Sequence, residues 1–163
     1  MDGEMTDFII RPAEVEDIAG IHAFLQPFAA QQQILPRTEE DIRRCLANFR
    51  LALSSTGRIV GTVALRDFEE GLQEIRSLAV ASEVAHHGLG SRLVEAAKQF
   101  ALERKARRVF TLTTHPALFQ RLGFTIVSME TFPQKVQFDC LACPKRQACD
   151  ETALLWEPES CQR

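Results

Sequence analysis

A chain of 163 residues fits one domain of ordinary size. With 45% hydrophobic and 25% charged residues it can bury a core, which rules out collagen-like and wholly disordered chains. The net charge is −3 and no basic stripe is long enough to follow a phosphate backbone, so nucleic acid is not an expected partner. The densest basic run, Arg104-Lys105 with Arg107-Arg108, reads as a solvated helix end. No apolar run approaches the ~18 residues of a membrane span. The acidic, polar stretch Met1–Asp7 lacks the features of a signal peptide, so a cytoplasmic chain with mostly reduced thiols is expected. The five cysteines are an odd number, which argues against a fully paired disulfide framework. There is no tyrosine, which removes one common catalytic acid.

In chain order, Phe8–Pro12 reads as a short strand halted by proline. Ile18, Ile21, Leu25 and Phe28 recur at helical spacing. Pro36 ends that helix or the loop after it. Thr38-Glu39-Glu40-Asp41 resembles a capping box, and Ile42, Leu46 and Phe49 are expected to continue a second helix. Leu51–Leu53, a Ser54–Gly57 turn and Ile59–Leu65 signal a hairpin. Glu69-Glu70-Gly71 marks a further turn before strand Glu74–Val80. A longer helix begins near Gly88, with Leu89, Leu93, Ala97, Phe100 and Ala101 as its apolar stripe. Strand Val109–Thr113, short helix Pro116–Leu122, strand Phe124–Met129 and strand Ala153–Trp156 complete the chain. The order predicts an α/β domain built on one mixed sheet flanked by helices.

Between strand Glu74–Val80 and the long helix stands Ala85-His86-His87-Gly88-Leu89-Gly90-Ser91. Glycines at a strand-to-helix turn let backbone N–H groups approach an anion, and the helix dipole favours one. Alone, this pattern also describes a plain tight turn. It lacks the third glycine of a dinucleotide fold and the Lys-Ser/Thr of a P-loop.

Glu74–Val80 with Gly88-Leu89-Gly90-Ser91-Arg92-Leu93, and Leu118–Phe124, resemble the acyl-CoA site of the GNAT acyltransferase superfamily. The resemblance spans nearly the whole chain. It implies one mostly antiparallel GNAT domain over residues 1–163, with a cysteine-containing tail segment at 134–163. The family's usual pattern puts Arg or Gln where this sequence has Ala85. Within the superfamily, Ile34–Arg37, Phe110–Thr114, Lys135–Cys140, Cys143-Pro144-Lys145 and Cys149-Asp150-Glu151 resemble short, stand-alone amino-acid acetyltransferases that make N-acetylglutamate.

That resemblance implies acetyl-CoA as acetyl donor and L-glutamate as acceptor, in arginine synthesis. The donor would lie against Leu78, Ala79, Val80, His86, His87, Gly88, Leu89, Gly90, Ser91, His115 and Phe119. An amino-acid ammonium must lose a proton before it attacks, and the resemblance implies Glu74 as the base, directly or through a water. A solvated charge at a strand end is the plainer alternative for Glu74. Strict alternation puts Glu74 and Ser77 on opposite faces. A bulge of the family's kind brings both to one side and frees an N–H near Leu78 for the thioester oxygen, a donor worth ~3 kcal/mol. Without tyrosine, the departing thiolate takes its proton from Thr113, Ser77 or water. Glutamate's two carboxylates suit bidentate arginine. Arg37, in Leu35-Pro36-Arg37, is the first choice for the side-chain carboxylate, and Arg76 and Lys135 serve the rest of the acceptor site.

His22, His86, His87 and His115 form no spaced metal set. Cys140, Cys143 and Cys149 are compact enough for a zinc knuckle, a redox pair or reduced structural thiols, so no metal ligands are assigned. Cys45, on a predicted helix, is expected to be buried. A homodimer is a weak expectation. Two other functions stay open at this point: acetylation of another small amine, and a non-catalytic acyl-CoA-binding or sensor module.

Overall fold

The computed structural model describes residues 8–31, 33–34, 36–68, 70–85, 87–128 and 151–158. Among the described residues, seven strands form one sheet in the order β1-β2-β3-β4-β5-β7-β6. They are β1 (Ile9–Pro12), β2 (Phe49–Leu53), β3 (Ile59–Asp67), β4 (Leu72–Val80), β5 (Arg108–Thr113), β6 (Thr125–Val127) and β7 (Thr152–Trp156). The helices are α1 (Ile18–Ala30), α2 (Glu39–Arg44), α3 (Leu89–Glu103) and α4 (Pro116–Arg121). Every strand pair is antiparallel except β4 with β5, which α3 connects. The last described strand, β7, lies between β5 and β6.

Alternation along the strands divides the core into two layers. Phe49, Leu51 and Ala64 pack with Ile18, Ile21 and Leu25 of α1 and Ile42 of α2. Their neighbours Ala52, Val63 and Leu65 pack with Leu89, Leu93, Val94 and Ala97 of α3, and with Phe119 of α4. Strand β3, inside the sheet, is therefore buried on both faces, which is why Val60–Leu65 shows no alternation between core and solvent. Gly61 on β3 is required by this packing: a Cβ there would lie 2.8 Å from Leu93 Cδ1.

The second helix is shorter than its spacing predicts. The Thr38 box forms as expected, with Asp41 N–H donating to Thr38 Oγ1 at 3.0 Å and Thr38 N–H donating to Asp41 Oδ2 at 3.3 Å. The helix ends at Arg44, because Cys45 leaves helical geometry. Leu46–Asn48 forms a single 3₁₀ turn, and Phe49 opens β2 instead of ending a helix. Ile42 and Phe49 share one cluster, so a strand residue completed the apparent helical stripe. Cys45 is half-buried, not buried, because it sits at this helix end.

Candidate active site

Strands β4 and β5 pair only from Leu72↔Arg108 to Ile75↔Thr111. Beyond that point β4 continues to Val80 and β5 to Thr113 without pairing to each other. The sheet therefore opens into a cleft at the C-terminal ends of its two parallel strands. Thr111 Oγ1 donates to the Ile75 carbonyl at 3.0 Å, at the last paired rung.

On its other edge, β4 carries the expected bulge. Arg76 pairs with Ala64 and Ala79 with Thr62, so Ser77 and Leu78 together face the single residue Val63. Ser77 adopts φ +53°, a left-handed conformation that costs a non-glycine residue roughly 1–2 kcal/mol. The buried Thr62 hydroxyl donates to the Ser77 carbonyl at 2.7 Å and satisfies a group the bulge removes from the ladder. Thr62 and Thr111 are the residues that hold this geometry. Sequence reading passed over both, because a threonine inside an apolar strand gives no hint of its partner.

Two cavities meet at Arg76 and Ser77. The first, of about 290 Å³, is the cleft between the parted strands. Leu78, Ala79 and Val80 of β4, Gly90 of α3, Thr113 and His115 at the end of β5, and Phe119 of α4 all line it. At its upper end α3 begins. Gly88 is the N-cap, at φ +77°, and no side chain caps the helix. The first-turn N–H groups have no intrahelical acceptor by construction, and the helix dipole makes them anion donors. Space is open around Gly88, with no heavy atom within 4 Å of a Cβ built there. A backbone phosphate cradle fits here. The side chain of Leu89 lies in the core, so this residue offers only its main chain. His87 is exposed. Thr113 Oγ1 accepts from the His115 N–H at 2.9 Å, which keeps the hydroxyl hydrogen available to the cleft.

The second cavity, of about 220 Å³, lies on the face covered by α1 and α2. Arg37, Arg66 and Arg76 line it with Cys45, Asn48, Phe49, Ala64, Leu65 and Ser77. Three guanidinium groups and no carboxylate stand among these residues, which is the chemistry of an anion site. Arg37 comes from the loop between α1 and α2, Arg66 from the end of β3, and Arg76 from β4. Arg66 was not foreseen, since on a strand end it reads as ordinary surface charge.

Glu74 is 2% exposed, so it is not a solvated strand-end charge. Its Oε1 stands 3.6 Å from Arg76 Nη1. It belongs to neither cavity wall. Leu35, His86, Lys135 and the cysteines Cys140, Cys143, Cys149 and Cys161 lie outside the described residues.

The β4 bulge and the helix that starts at Gly88 are the features that the resemblance implies. The acetyltransferase (GNAT) family model matches residues 17–124, and the chain belongs to that family. It is an acetyl-CoA-dependent N-acetyltransferase with a single mostly antiparallel α/β sheet domain. An uncharacterised N-acetyltransferase of Chlorobaculum tepidum is 36% identical over 149 residues, covering 91% of this chain and 96% of that protein. An amino-acid acetyltransferase of Ralstonia nicotianae is 30% identical over 127 residues, covering 77% of this chain. The chain spans 28% of that longer relative. Among solved structures, N-acetylglutamate synthase from Neisseria gonorrhoeae, complexed with coenzyme A and N-acetyl-glutamate, superposes with a TM-score of 0.81. It is 25% identical, over 93% of this chain and 35% of that one. Rv2747 from Mycobacterium tuberculosis, crystallised in complex with CoA, gives a TM-score of 0.79 at 25% identity, over 92% and 99%. No described helix is long and apolar enough to cross a membrane.

Proposed function

We propose that this chain transfers the acetyl group of acetyl-CoA to the α-amine of L-glutamate, giving N-acetyl-L-glutamate and CoA, as the first step of arginine synthesis in the cytoplasm. The observation that carries the reading is the arginine-lined cavity opening at Ser77, beside the cleft that suits the donor. The whole of residues 1–163 acts as one acetyltransferase domain.

In this reading the cleft takes acetyl-CoA, with its pyrophosphate on the N–H groups at the start of α3. Leu78, Val80, Leu118 and Phe119 flank the pantetheine arm. Neither Ser77 nor Leu78 is in register with β3 or β5, and a main-chain N–H at this bulge donates to the thioester oxygen. The acceptor enters the second cavity with its carboxylates toward the arginines. Glu74 takes the ammonium proton through a water, because it is not itself in either cavity wall. The amine nitrogen then forms the new C–N bond at the carbonyl carbon, and the C–S bond breaks. The second amine proton, lost as the C–N bond forms, passes through the Thr113 hydroxyl to the thiolate. A thiolate is a good leaving group, so loss of tyrosine is tolerated.

The test is thiol release from acetyl-CoA in the presence of different amines. Release is expected to depend on L-glutamate, and Arg37→Ala is expected to raise KM for glutamate at least ~10-fold while affecting glutamine less, by loss of a charge-assisted bond. Equal rates with unrelated amines would overturn the glutamate assignment and leave the enzyme class standing.

A further inference from the structure

Along a regular strand successive carbonyls point to opposite neighbours, so those of residues 75 and 77 would face the same way. In β4 they do not. The Ile75 carbonyl accepts from Thr111 of β5 at 3.0 Å. The Ser77 carbonyl accepts from Thr62 of β3, on the opposite side, at 2.7 Å. The bulge has therefore turned the Ser77–Leu78 peptide plane over. That peptide is trans, and a trans peptide holds its C=O and its N–H on opposite sides. With the carbonyl on β3, the Leu78 N–H points away from β3, toward the side where β5 has parted from β4. Leu78 is in register with neither strand and lines the cleft.

Ser77 is left-handed, at φ +53°, and such a residue persists only where its surroundings hold it. Thr62 is fully buried, and its register neighbours Leu51 and Ala79 belong to the apolar layer beneath α1. In such surroundings an unmade hydroxyl bond is costly, so the hydroxyl stays on the Ser77 carbonyl. Two groups on Cβ restrict χ1, which keeps the hydroxyl on one aim. Valine has the same shape, so the hydroxyl is what threonine adds at this position.

We propose that Thr62 is a positioning residue for acetyl transfer: its hydroxyl locks the Ser77–Leu78 peptide so that the Leu78 N–H meets the thioester oxygen. The proposal rests on the reading of the cleft as the acyl-donor site. Thr62→Val removes the hydroxyl and keeps the shape, while Thr62→Ser keeps the hydroxyl. Acetyl-CoA isotopically labelled at the acetyl carbonyl is bound to the full-length protein without acceptor, and its carbonyl band is read by infrared difference spectroscopy. The band lies at lower frequency on wild type and on Thr62→Ser than in solution, and on Thr62→Val that shift is lost. In steady-state kinetics with L-glutamate, Thr62→Val lowers kcat about tenfold or more and leaves KM for acetyl-CoA within about twofold, since a lost oxyanion donor costs ~10²–10³ in kcat. Thr62→Ser keeps kcat within about threefold of wild type, because the carbonyl still has its hydroxyl.

A wild-type shift retained in Thr62→Val, or kcat unchanged in that variant, overturns the role of Thr62 and leaves the donor site standing. A fall in kcat shared equally by Thr62→Val and Thr62→Ser does the same, because it marks packing and not the hydroxyl. Wild type that binds acetyl-CoA in calorimetry without any shift of the band overturns the reading of the bulge as the carbonyl site, and the proposal with it. If the infrared pattern holds while thiol release does not depend on glutamate, the acceptor assignment falls and the role of Thr62 stands. Should Thr62→Val not fold, Thr62→Ala also lacks the hydroxyl, adds no bulk and is read in the same way.

Discussion

The two cavities that meet at Ser77 are built from different materials. The donor cleft is made of parted strands, a bulge, an uncapped helix start and apolar side chains. Its polar work falls to main-chain groups, which any sequence able to fold this way provides. The acceptor cavity is made of side chains, three of them arginines drawn from a loop and two strands. The difference teaches where specificity resides. The donor side can stay the same across relatives with different acceptors, while the acceptor side changes with single residues.

The largest expected effect comes from the buried carboxylate beside Arg76, a residue that lines both cavities. Glu74→Gln removes the base without changing its size. It should lower kcat by about 10²–10⁴, the usual contribution of a positioned base. Binding of CoA, measured by calorimetry, should be unchanged. Unchanged turnover would remove Glu74 as the base.

The same contrast explains how much was legible in the sequence. The donor side was readable because its signals are local. Gly88 and Gly90 are separated by Leu89 alone, in the segment that follows the strand they serve. The strand–helix order, the Thr38 box and the β2–β3 hairpin were readable for the same reason. The bulge at Ser77 and Leu78 was expected from family resemblance, and the β3–β4 register shift shows it. Its hold on the fold, through Thr62 and Thr111, was not readable, because both partners lie on neighbouring strands. Arg66 was missed for an equivalent reason. Nothing in its local sequence separates it from a surface cation, and only the register with Glu74 brings it to the site. Phe49 was assigned to a helix because a residue at helical spacing from Ile42 can meet the same core from a strand.

A donor-side substitution should sharpen the contrast from the opposite direction. Gly88 holds φ +77° at the start of α3. Gly88→Ala meets no neighbour, so its only effect is the strain of a left-handed alanine, ~1–2 kcal/mol. The turn relieves that strain by rotating its N–H groups away from the pyrophosphate. KM for acetyl-CoA should rise about fivefold or more, on the scale of ~1.4 kcal/mol per tenfold. KM for the acceptor should not move. A rise in both would mean that the two cavities are not energetically separate.

The smallest effect should come from the support of α1. This helix carries Phe28 to the cleft, and the chain after it leads to Arg37. Its start is fixed by Asp17, whose carboxylate accepts from Arg11 Nη1 at 2.8 Å, from Arg11 Nη2 at 3.1 Å and from the Glu14 N–H at 2.8 Å. The hydrogen bonds from Arg11 hold the Asp17 carboxyl below its ordinary range, with a smaller lowering from the Glu14 N–H. A carboxyl whose pKa is lower folded than unfolded stabilises the fold fully above its unfolded pKa. That stabilisation is lost as pH falls through the lower, folded value. Asp17→Asn should therefore cost ~1 kcal/mol at neutral pH, a drop in Tm of about 2–4 °C for a domain of this size. As pH falls below the ordinary carboxylate range the two melting curves should converge. Because α1 carries Phe28 to the donor cleft and leads on to Arg37, any change in kinetics should fall on both KM values and leave kcat unmoved. A gap in Tm that persists undiminished in acid would show that Asp17 acts by packing and not by charge.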